Sequence, residues 1–349
     1  MSGDLALWIL GGSLLIHLLT HLLVPVNIRV SNRFGIVVEP SERRVHTRTM
    51  PEAGGLSFAL PMIMVMLVFS LRLTDPGERN DLLALAGVGL LTLVFGVLDD
   101  KYESRARYKL LWQIAVGVMM YFIGFRVSTL TNPLGSEFVL NWLSFPVTII
   151  WYLVVLNAIN LIDGLDGLAS GVCIIVSGVL LIVGVKEGNI LATALSSFLL
   201  AGNLAFLRYN FHPARIFLGE TGAQFNGLII AAISTAGSTQ FKGITSMTMI
   251  IPLSVLAVPL IDMFLAVFRR LGVGSIFAAD KAHLHHTMLA LGLSQKTIAL
   301  IVYFVTLMFG LIAIGFSFSS KKVLFSVLLG LLILMVVVAY ILMRLEKRK

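Results

Sequence analysis

Residues 145–184 read FPVTIIWYLVVLNAINLIDGLDGLASGVCIIVSGVLLIVG, in which two long apolar runs enclose a short polar segment. Each run, at about 145–160 and 168–185, has the length that a helix needs to cross ~30 Å of hydrocarbon at about 1.5 Å per residue. The segment NAINLIDGLDGLASG, residues 157–171, contains two aspartates and no lysine or arginine. The pattern predicts two membrane helices joined by an acidic turn.

The rest of the 349-residue chain is equally apolar, with 58% hydrophobic and 13% charged residues and a mean hydropathy of +0.95. These values exclude an ordinary soluble globular protein. Transmembrane strands would need alternating polarity in pieces of about 10 residues, which is absent. Nine further apolar runs lie at about 5–26, 54–71, 82–98, 110–125, 190–206, 223–236, 248–267, 297–318 and 323–342. We therefore expect an all-α polytopic membrane protein with about eleven transmembrane helices, in which residues 1–349 form one domain.

The basic residues predict how these helices are oriented. When successive connections are assigned alternately to two sides, 19 of the 26 lysines and arginines fall on one side, which the positive-inside rule makes cytoplasmic. Eleven spans then place the N-terminus outside and the C-terminus in the cytoplasm. Because this distribution accounts for the net charge of +8, nucleic-acid binding is not expected. The single Cys173 excludes a disulfide framework and a cysteine-based metal site.

Acidic residues and histidines collect on the same predicted side. They are Asp99, Asp100, Asp163, Asp166, Glu220, Asp280, His46, His212, His283, His285 and His286. Ionisable groups at a membrane boundary are costly unless they are paired, hydrated or bound to a metal. We therefore expect a functional site that faces the cytoplasm at the lipid boundary.

The segment VLDDKYESRARYKLL, residues 97–111, combines adjacent carboxylates with four basic side chains. Asp99 and Asp100 would repel one another, so such a pair suits a divalent cation or a general base. The cations, Lys109 among them, would suit phosphate. An ordinary positive-inside loop with two solvated acids explains the segment equally well.

In NAINLIDGLDGLASG, four polar residues recur every three positions, and neighbouring members lie close together on a helix. They are Asn157, Asn160, Asp163 and Asp166. Amide oxygens and carboxylates are hard ligands, suited to Mg²⁺ or Mn²⁺ that carries substrate phosphates. The alternative is a polar turn between helices, which does not explain two unpaired acids.

Three further segments carry weaker signals. In NFHPARIFLGETGAQFNG, residues 210–227, Glu220 is another hard ligand, and the helix that follows could present amide groups to an anion. The alternative is that glutamate is common before helices because it suits the helix dipole. In DKAHLHHTM, residues 280–288, phosphate or sugar contacts fit better than zinc, because the zincin spacing is absent; a solvated loop is the alternative. In RRVHTRTMPEAGG, residues 43–55, the basic residues either contact an anion or anchor the topology.

Taken together and in order, these segments resemble those of the polyprenyl-phosphate N-acetylhexosamine-1-phosphate transferase family. The resemblance covers nearly the whole chain, including VPLIDMFLAVFRR at residues 258–270, and NAINLIDGLDGLASG is its most specific part. The family has ten or eleven membrane helices and a cytoplasmic active site, which agrees with the charge distribution.

The resemblance implies a Mg²⁺-dependent transfer of a sugar 1-phosphate from a UDP-sugar to a polyprenyl phosphate, which releases UMP; Mn²⁺ is a possible substitute. Such an enzyme would lie in the bacterial inner membrane, and a homodimer is compatible with it. Two other functions stay open, namely a transporter that uses the polar breaks as an ion pathway and an inactive homologue that binds lipid phosphate or a partner.

The resemblance also implies roles for single residues. The catalytic set is Asp99, Asp100, Lys109 and His283, in which the aspartates orient or deprotonate the lipid phosphate. The metal ligands are Asn160 and Glu220. The substrate-binding set is Arg48, Asn157, Asp163, Asp166, Asn210, Phe217, His285 and His286, in which Phe217 stacks on uridine.

Two details refine this expectation. Where the family usually reads Gly-Asp-x-Gly-Ser, residues 219–223 read GETGA, so the expected metal ligand is one methylene longer and a hydroxyl is missing. The His-Leu-His-His order resembles the branch that uses UDP-GlcNAc more than the branch that uses UDP-MurNAc-pentapeptide. We expect UDP-GlcNAc or a modified UDP-HexNAc, used for bacterial envelope polysaccharide.

The longer side chain at position 220 generates a first prediction. The variant Glu220→Asp should retain or raise turnover, because it restores the ligand length that the family usually has. The measurement is UMP release by the purified protein. A fall to background in this variant would show that the assignment of Glu220 as a metal ligand is wrong.

Overall fold

The computed structural model describes residues 3–40, 48–130, 138–236, 253, 256–272, 284–316 and 321–346. Within these ranges the chain forms twelve α-helices. They are α1 (Gly3–Phe34), α2 (Leu56–Ser70), α3 (Pro76–Tyr102), α4 (Ala106–Ile123), α5 (Ser144–Ile162), α6 (Leu168–Glu187), α7 (Ile190–Asn210), α8 (Gly219–Thr235), α9 (Ala257–Gly272), α10 (Leu284–Ala290), α11 (Gln295–Phe316) and α12 (Lys321–Glu346).

These helices confirm the expectation of an all-α polytopic membrane protein. Each of the eleven apolar runs overlaps a helix, and six helices are long and apolar enough to cross a membrane. The helix α2 (Leu56–Ser70) and the stretch Ser326–Val338 within α12 are apolar but shorter. The number of eleven spans, their orientation and the single domain stay predictions. The short helix α10 was not expected from the apolar pattern.

Two antiparallel hairpins of two-residue strands accompany the helices. They pair β1 (Val37–Val38) with β2 (Met50–Pro51), and β3 (Thr129–Leu130) with β4 (Phe138–Val139). The first hairpin and the residues after it are hydrogen-bonded to the segment that precedes α8. Phe217 donates its amide to the carbonyl of Pro51 at 2.9 Å, and Gly54 donates to the carbonyl of Phe217 at 3.0 Å. The connection after α1 is thereby attached to the entrance of α8.

Helix α8 is the central element of the fold. Every residue from Gly219 to Thr235 except Glu220 is buried. It contacts α3, α5 and α7, which belong to the main hydrophobic core. Because the helix is enclosed on all sides, its one partly accessible residue lies at its N-terminal end, where the surrounding helices also end.

The first turn of α8 packs directly on the backbone of its neighbours. A Cβ atom on Gly96 of α3 would lie 2.5 Å from Cα of Thr221, and one on Gly55 would lie 2.2 Å from Cα of Gly222. Real Cβ atoms do not approach backbone this closely. The two glycines therefore fix how deeply α8 enters the bundle.

This packing predicts different effects for two glycines of the same helix. Gly96→Ala should destabilise the protein by about 1–3 kcal/mol, because backbone must move to make room for the methyl group. Gly87→Ala is the matched control, since a Cβ there meets nothing within 4 Å. Thermal unfolding of both variants in detergent would check this, and equal midpoints would contradict the tight fit at Gly96.

Candidate functional site

The ends of four helices meet at the N-terminus of α8. Helices α3 and α5 reach this level with their C-terminal ends, and α4 and α8 begin there. Each of the four contributes ionisable or amide side chains from the segments that the sequence singled out. The site is therefore assembled from helix ends, which the dense packing of α8 holds in place.

Lys109 joins two of the predicted site residues. Its Nζ lies 2.7 Å from Oδ2 of Asp99 and 2.7 Å from Oε1 of Glu220. The side chain of Asp99 has no exposed surface, whereas those of Lys109 and Glu220 are 28% and 18% exposed. The other oxygen of Asp99 accepts the amide of Ser104 at 2.9 Å. The structure thus brings three residues from three helices into one ion-paired cluster.

Asp100 binds the N-terminus of α8. Its Oδ1 accepts the amide of Glu220 at 2.6 Å, and its Oδ2 accepts the amide of Thr221 at 3.1 Å together with the Thr221 hydroxyl. The first amides of a helix have no partner within the helix, and a carboxylate also suits the positive end of its dipole. The amides that could have met an external anion are therefore already bound to the protein's own carboxylate.

Gly219 makes this contact possible. It has φ +73, and a Cβ there would lie 2.7 Å from Oδ2 of Asp100 and 2.9 Å from the amide nitrogen of Ala53. A side chain at this position would separate Asp100 from α8.

Asp163 lies in the turn that follows α5. Burial is the main reason why the pKa of its carboxyl lies well above the usual value, and the charges of Glu220 and Asp100 add to the increase. A hydrogen bond with the amide of Gly219 opposes the shift only in part. The structure therefore places Asp163 near Glu220 and Asp100, and its predicted role in the nucleotide pocket stays a prediction.

Asp166 and Asn210 hold the loop between α7 and α8. Oδ2 of Asp166 accepts the amide of Ala214 at 3.0 Å and lies 2.8 Å from Nδ1 of His212. Asn210 is buried; it donates to the carbonyl of Ile216 at 3.0 Å and accepts the Ser170 hydroxyl at 3.0 Å. The roles predicted for Asp166 and Asn210 in nucleotide binding stay predictions, and the contacts here are to the loop itself.

The two asparagines of the α5 motif differ in their contacts. Nδ2 of Asn157 donates to Oε1 of Gln113 at 2.7 Å and to the carbonyl of Leu153 at 2.8 Å. The side chain of Asn160 makes no hydrogen bond to any residue that the structure describes, and part of its surface is accessible. Asn160 is thus the member of the motif whose amide is available to a ligand.

The remaining predicted site residues lie outside this cluster or outside the described residues. Arg48 is exposed just before β2, and Phe217 is half-buried with its backbone fixed by residues 51–54. His283 lies outside the described residues. His285 and His286 belong to α10, but their side chains are not among those described.

Three residues at the site were missed from the sequence. Gln113 and Gln224 are buried amides that face one another at 3.4 Å, and Gln224 donates to Oε2 of Glu220 at 3.1 Å. Both glutamines could have been recognised from the sequence, because each lies four residues after a charged site residue in an apolar helix. Tyr303 of α11 donates to the carbonyl of Gly167 at 2.6 Å. No local pattern distinguishes Tyr303 from other aromatic residues of its span.

The donor set fits a divalent cation that substrate completes. The carboxylates of Asp99 and Glu220 pair with the ammonium group of Lys109, and Asp163 lies within the electrostatic influence of Glu220 and Asp100. Among the described residues, no three His, Cys, Asp or Glu side chains are grouped so as to hold a metal alone. Mg²⁺ usually keeps waters and binds one or two protein carboxylates together with substrate phosphates. Glu220 and Asn160 are the residues suited to that arrangement.

The fold and the site together define a helical membrane protein with a carboxylate-rich centre at the ends of four of its helices. Residues 82–238 match the family model described as glycosyl transferase family 4. A Bacillus subtilis relative, a probable undecaprenyl-phosphate N-acetylglucosaminyl 1-phosphate transferase, is 34% identical over 93% of this chain and 90% of its own length. The chain therefore belongs to glycosyl transferase family 4, and the resemblance to polyprenyl-phosphate N-acetylhexosamine-1-phosphate transferases is confirmed.

Two other relatives agree with this assignment. The Mycobacterium leprae decaprenyl-phosphate N-acetylglucosaminephosphotransferase is 33% identical over 82% of this chain and 77% of its own length. The Escherichia coli K12 undecaprenyl-phosphate alpha-N-acetylglucosaminyl 1-phosphate transferase is 26% identical over 80% of this chain and 76% of its own length.

The raised pKa of Asp163 predicts how stability depends on pH. Well below pH 3.8, the ordinary pKa of an aspartate, the carboxyl is neutral in the folded and the unfolded chain. As the pH rises through that value the unfolded chain ionises first, and the folded state loses stability until its own carboxyl ionises. Asp163→Asn removes this cost. In metal-free buffer its thermal midpoint should exceed that of the wild type by about 2–4 °C at pH 8, and the difference should shrink towards pH 5. A difference that shrinks as the pH rises would contradict the shift.

Proposed function

We propose that this protein transfers N-acetylglucosamine 1-phosphate from UDP-GlcNAc to undecaprenyl phosphate and releases UMP. The observation that carries the proposal is the cluster in which Lys109 joins Asp99 to Glu220 beside Asp100 and Asp163. Its acidic and basic groups are those that a reaction between two phosphates needs. The names of the relatives support the sugar and the class of lipid acceptor.

The acceptor phosphate and the donor diphosphate are both anions, so their approach is opposed by repulsion. Lys109 supplies positive charge within the cluster, and the basic residues Arg105 and Arg107 precede it at the start of α4. Preorganised cations stabilise the charge that develops during phosphoryl transfer. We therefore assign Lys109 to the diphosphate, as the resemblance implies.

A divalent cation, Mg²⁺ or in its place Mn²⁺, would be held by Glu220 and Asn160. Its contribution when bound would be to neutralise the donor diphosphate and the leaving UMP. Asp99 would hold Lys109 in place beside the diphosphate. We favour direct in-line attack over a covalent aspartyl intermediate, because the acceptor phosphate is already nucleophilic and both oxygens of Asp100 are engaged by α8.

The proposal includes the topology derived from the charges. Eleven spans would place the N-terminus outside, the C-terminus inside, and the site at the cytoplasmic face of the bacterial inner membrane. A UDP-sugar made in the cytoplasm and a membrane-bound lipid would then meet at one boundary. The product would begin the synthesis of an envelope polysaccharide, and UDP-MurNAc-pentapeptide is the alternative donor.

An inactive homologue is the second candidate, because Lys109 already neutralises Glu220 and the side chain is longer than the family's usual aspartate. In that case the site would bind lipid phosphate or a partner without turnover. This candidate and the enzyme differ in one observable, the release of UMP.

The decisive experiment measures UMP release by purified protein with undecaprenyl phosphate, Mg²⁺ and a panel of UDP-sugars. We expect release with UDP-GlcNAc, and a loss of at least about 100-fold in Asp99→Asn and Glu220→Gln, because each removes a charged partner of Lys109. Glu187→Gln, at the far end of α6, is the matched control and should keep its activity. Absence of release with every sugar, from folded wild type, would favour the inactive homologue.

A further inference from the structure

Three amide side chains from three helices connect Glu220 to α5. Asn157 donates to Oε1 of Gln113 at 2.7 Å, and Nε2 of Gln113 lies 3.4 Å from Oε1 of Gln224. Nε2 of Gln224 then donates to Oε2 of Glu220 at 3.1 Å. We call Asn157, Gln113 and Gln224 the amide chain. Every donor in it points towards the carboxylate, and aligned hydrogen bonds of this kind strengthen one another in a low-dielectric interior.

The amide chain results from the way α4 and α8 face one another. Lys109 and Gln113 are four residues apart on α4, and Glu220 and Gln224 are four residues apart on α8, so each pair lies on one helix face. The first members meet as an ion pair and the second members meet as amides. The two contacts therefore hold the Glu220 carboxylate from opposite sides, Lys109 at Oε1 and Gln224 at Oε2.

Burial protects the hydrogen bonds of the amide chain from competition by water. Gln113 is 2% and Gln224 is 1% exposed, so water does not compete for their amides. A glutamate side chain has three torsions, which allow many orientations when nothing fixes them. Groups that orient a metal ligand typically change metal affinity by about 10–100-fold when they are removed.

We propose that Gln224, supported by Gln113 and Asn157, is a positioning residue that holds the Glu220 carboxylate ready for a divalent cation. Asn157 then acts through the amide chain and not on the substrate, in contrast to the role implied by the resemblance. The inference rests on the proposed function, in which Glu220 is a metal ligand. It adds that the orientation of this ligand is set within the apolar part of the bundle.

The first test uses Gln224→Met, which keeps the volume of the side chain and removes the amide. The probe is Mn²⁺ alone, titrated by electron paramagnetic resonance into purified protein without substrate. We expect the half-saturating Mn²⁺ concentration to rise about tenfold or more in the variant. In turnover assays the half-saturating Mg²⁺ should rise in the same proportion, with less than about a twofold change in the KM for the UDP-sugar.

The matched control is Asn226→Leu on the same helix. Asn226 and Asn203 exchange two hydrogen bonds at 2.8 and 3.1 Å and are fully buried, but they do not touch Glu220. This variant should lower the thermal midpoint and leave the half-saturating Mn²⁺ unchanged. Equal behaviour of the two variants, with only the thermal midpoint lowered, would reduce Gln224 to helix packing and overturn the proposal.

A double-mutant cycle with Glu220→Asp isolates the contact. The shorter aspartate withdraws the carboxylate from Gln224, so Gln224→Met should change the half-saturating Mn²⁺ by less than about twofold in that background. The same fold-change in both backgrounds would overturn the proposal. If Gln224→Met does not fold, Asn157→Ala at the partly accessible end of the amide chain takes its place and should show the same coupling at a smaller magnitude.

The Mn²⁺ titration also separates this inference from the proposed function. Wild type that binds Mn²⁺ but releases no UMP, with the expected weaker binding in Gln224→Met, would sustain the inference and refute the transferase. Wild type that releases UMP but shows no Mn²⁺ binding without substrate would sustain the transferase and refute a carboxylate held ready for the metal.

Discussion

The contact between Asp100 and the first turn of α8 is the constraint on which the rest of the structure depends. A helix that begins inside a protein must find acceptors for its first amides, because leaving them unpaired costs about 1–3 kcal/mol each. Asp100 supplies two carboxylate oxygens to Glu220 and Thr221. Since Gly96 and Gly55 let α8 approach to backbone contact, the helix has one depth at which these bonds form. At that depth Glu220 meets Lys109.

The sequence predicts the helices well because a single physical requirement decides them. A span must be apolar over the thickness of the bilayer, and this can be read from each segment without knowing its neighbours. The acidic residues at the helix ends were also recognisable, because charges in such places are costly. Asp99, Lys109 and Glu220 were singled out for this reason, and the structure brings them into contact.

The partners of these residues could not be predicted, because they depend on distant parts of the chain. The role of Asp100 towards substrate stays a prediction, and nothing near it in the sequence indicates that its oxygens accept amides that lie 120 and 121 residues further along. Nothing near Tyr303 indicates that its hydroxyl reaches Gly167, 136 residues away. The amides Gln113 and Gln224 are different, because a polar residue four positions from a charge in an apolar helix is a visible local signal.

The long separation between Asp100 and Thr221 also has a consequence for the order in which the protein is made. At roughly 5–20 residues per second, several seconds pass between the synthesis of α3 and that of α8. During this interval Asp99 already has a partner, because Lys109 follows it within ten residues. The carboxylate oxygens of Asp100, in contrast, have no amides of α8 to accept from. Both acids stand at the very end of α3, where headgroups and water can solvate them until α8 arrives. Their position allows a nascent chain to enter the bilayer with charges that only the finished bundle encloses.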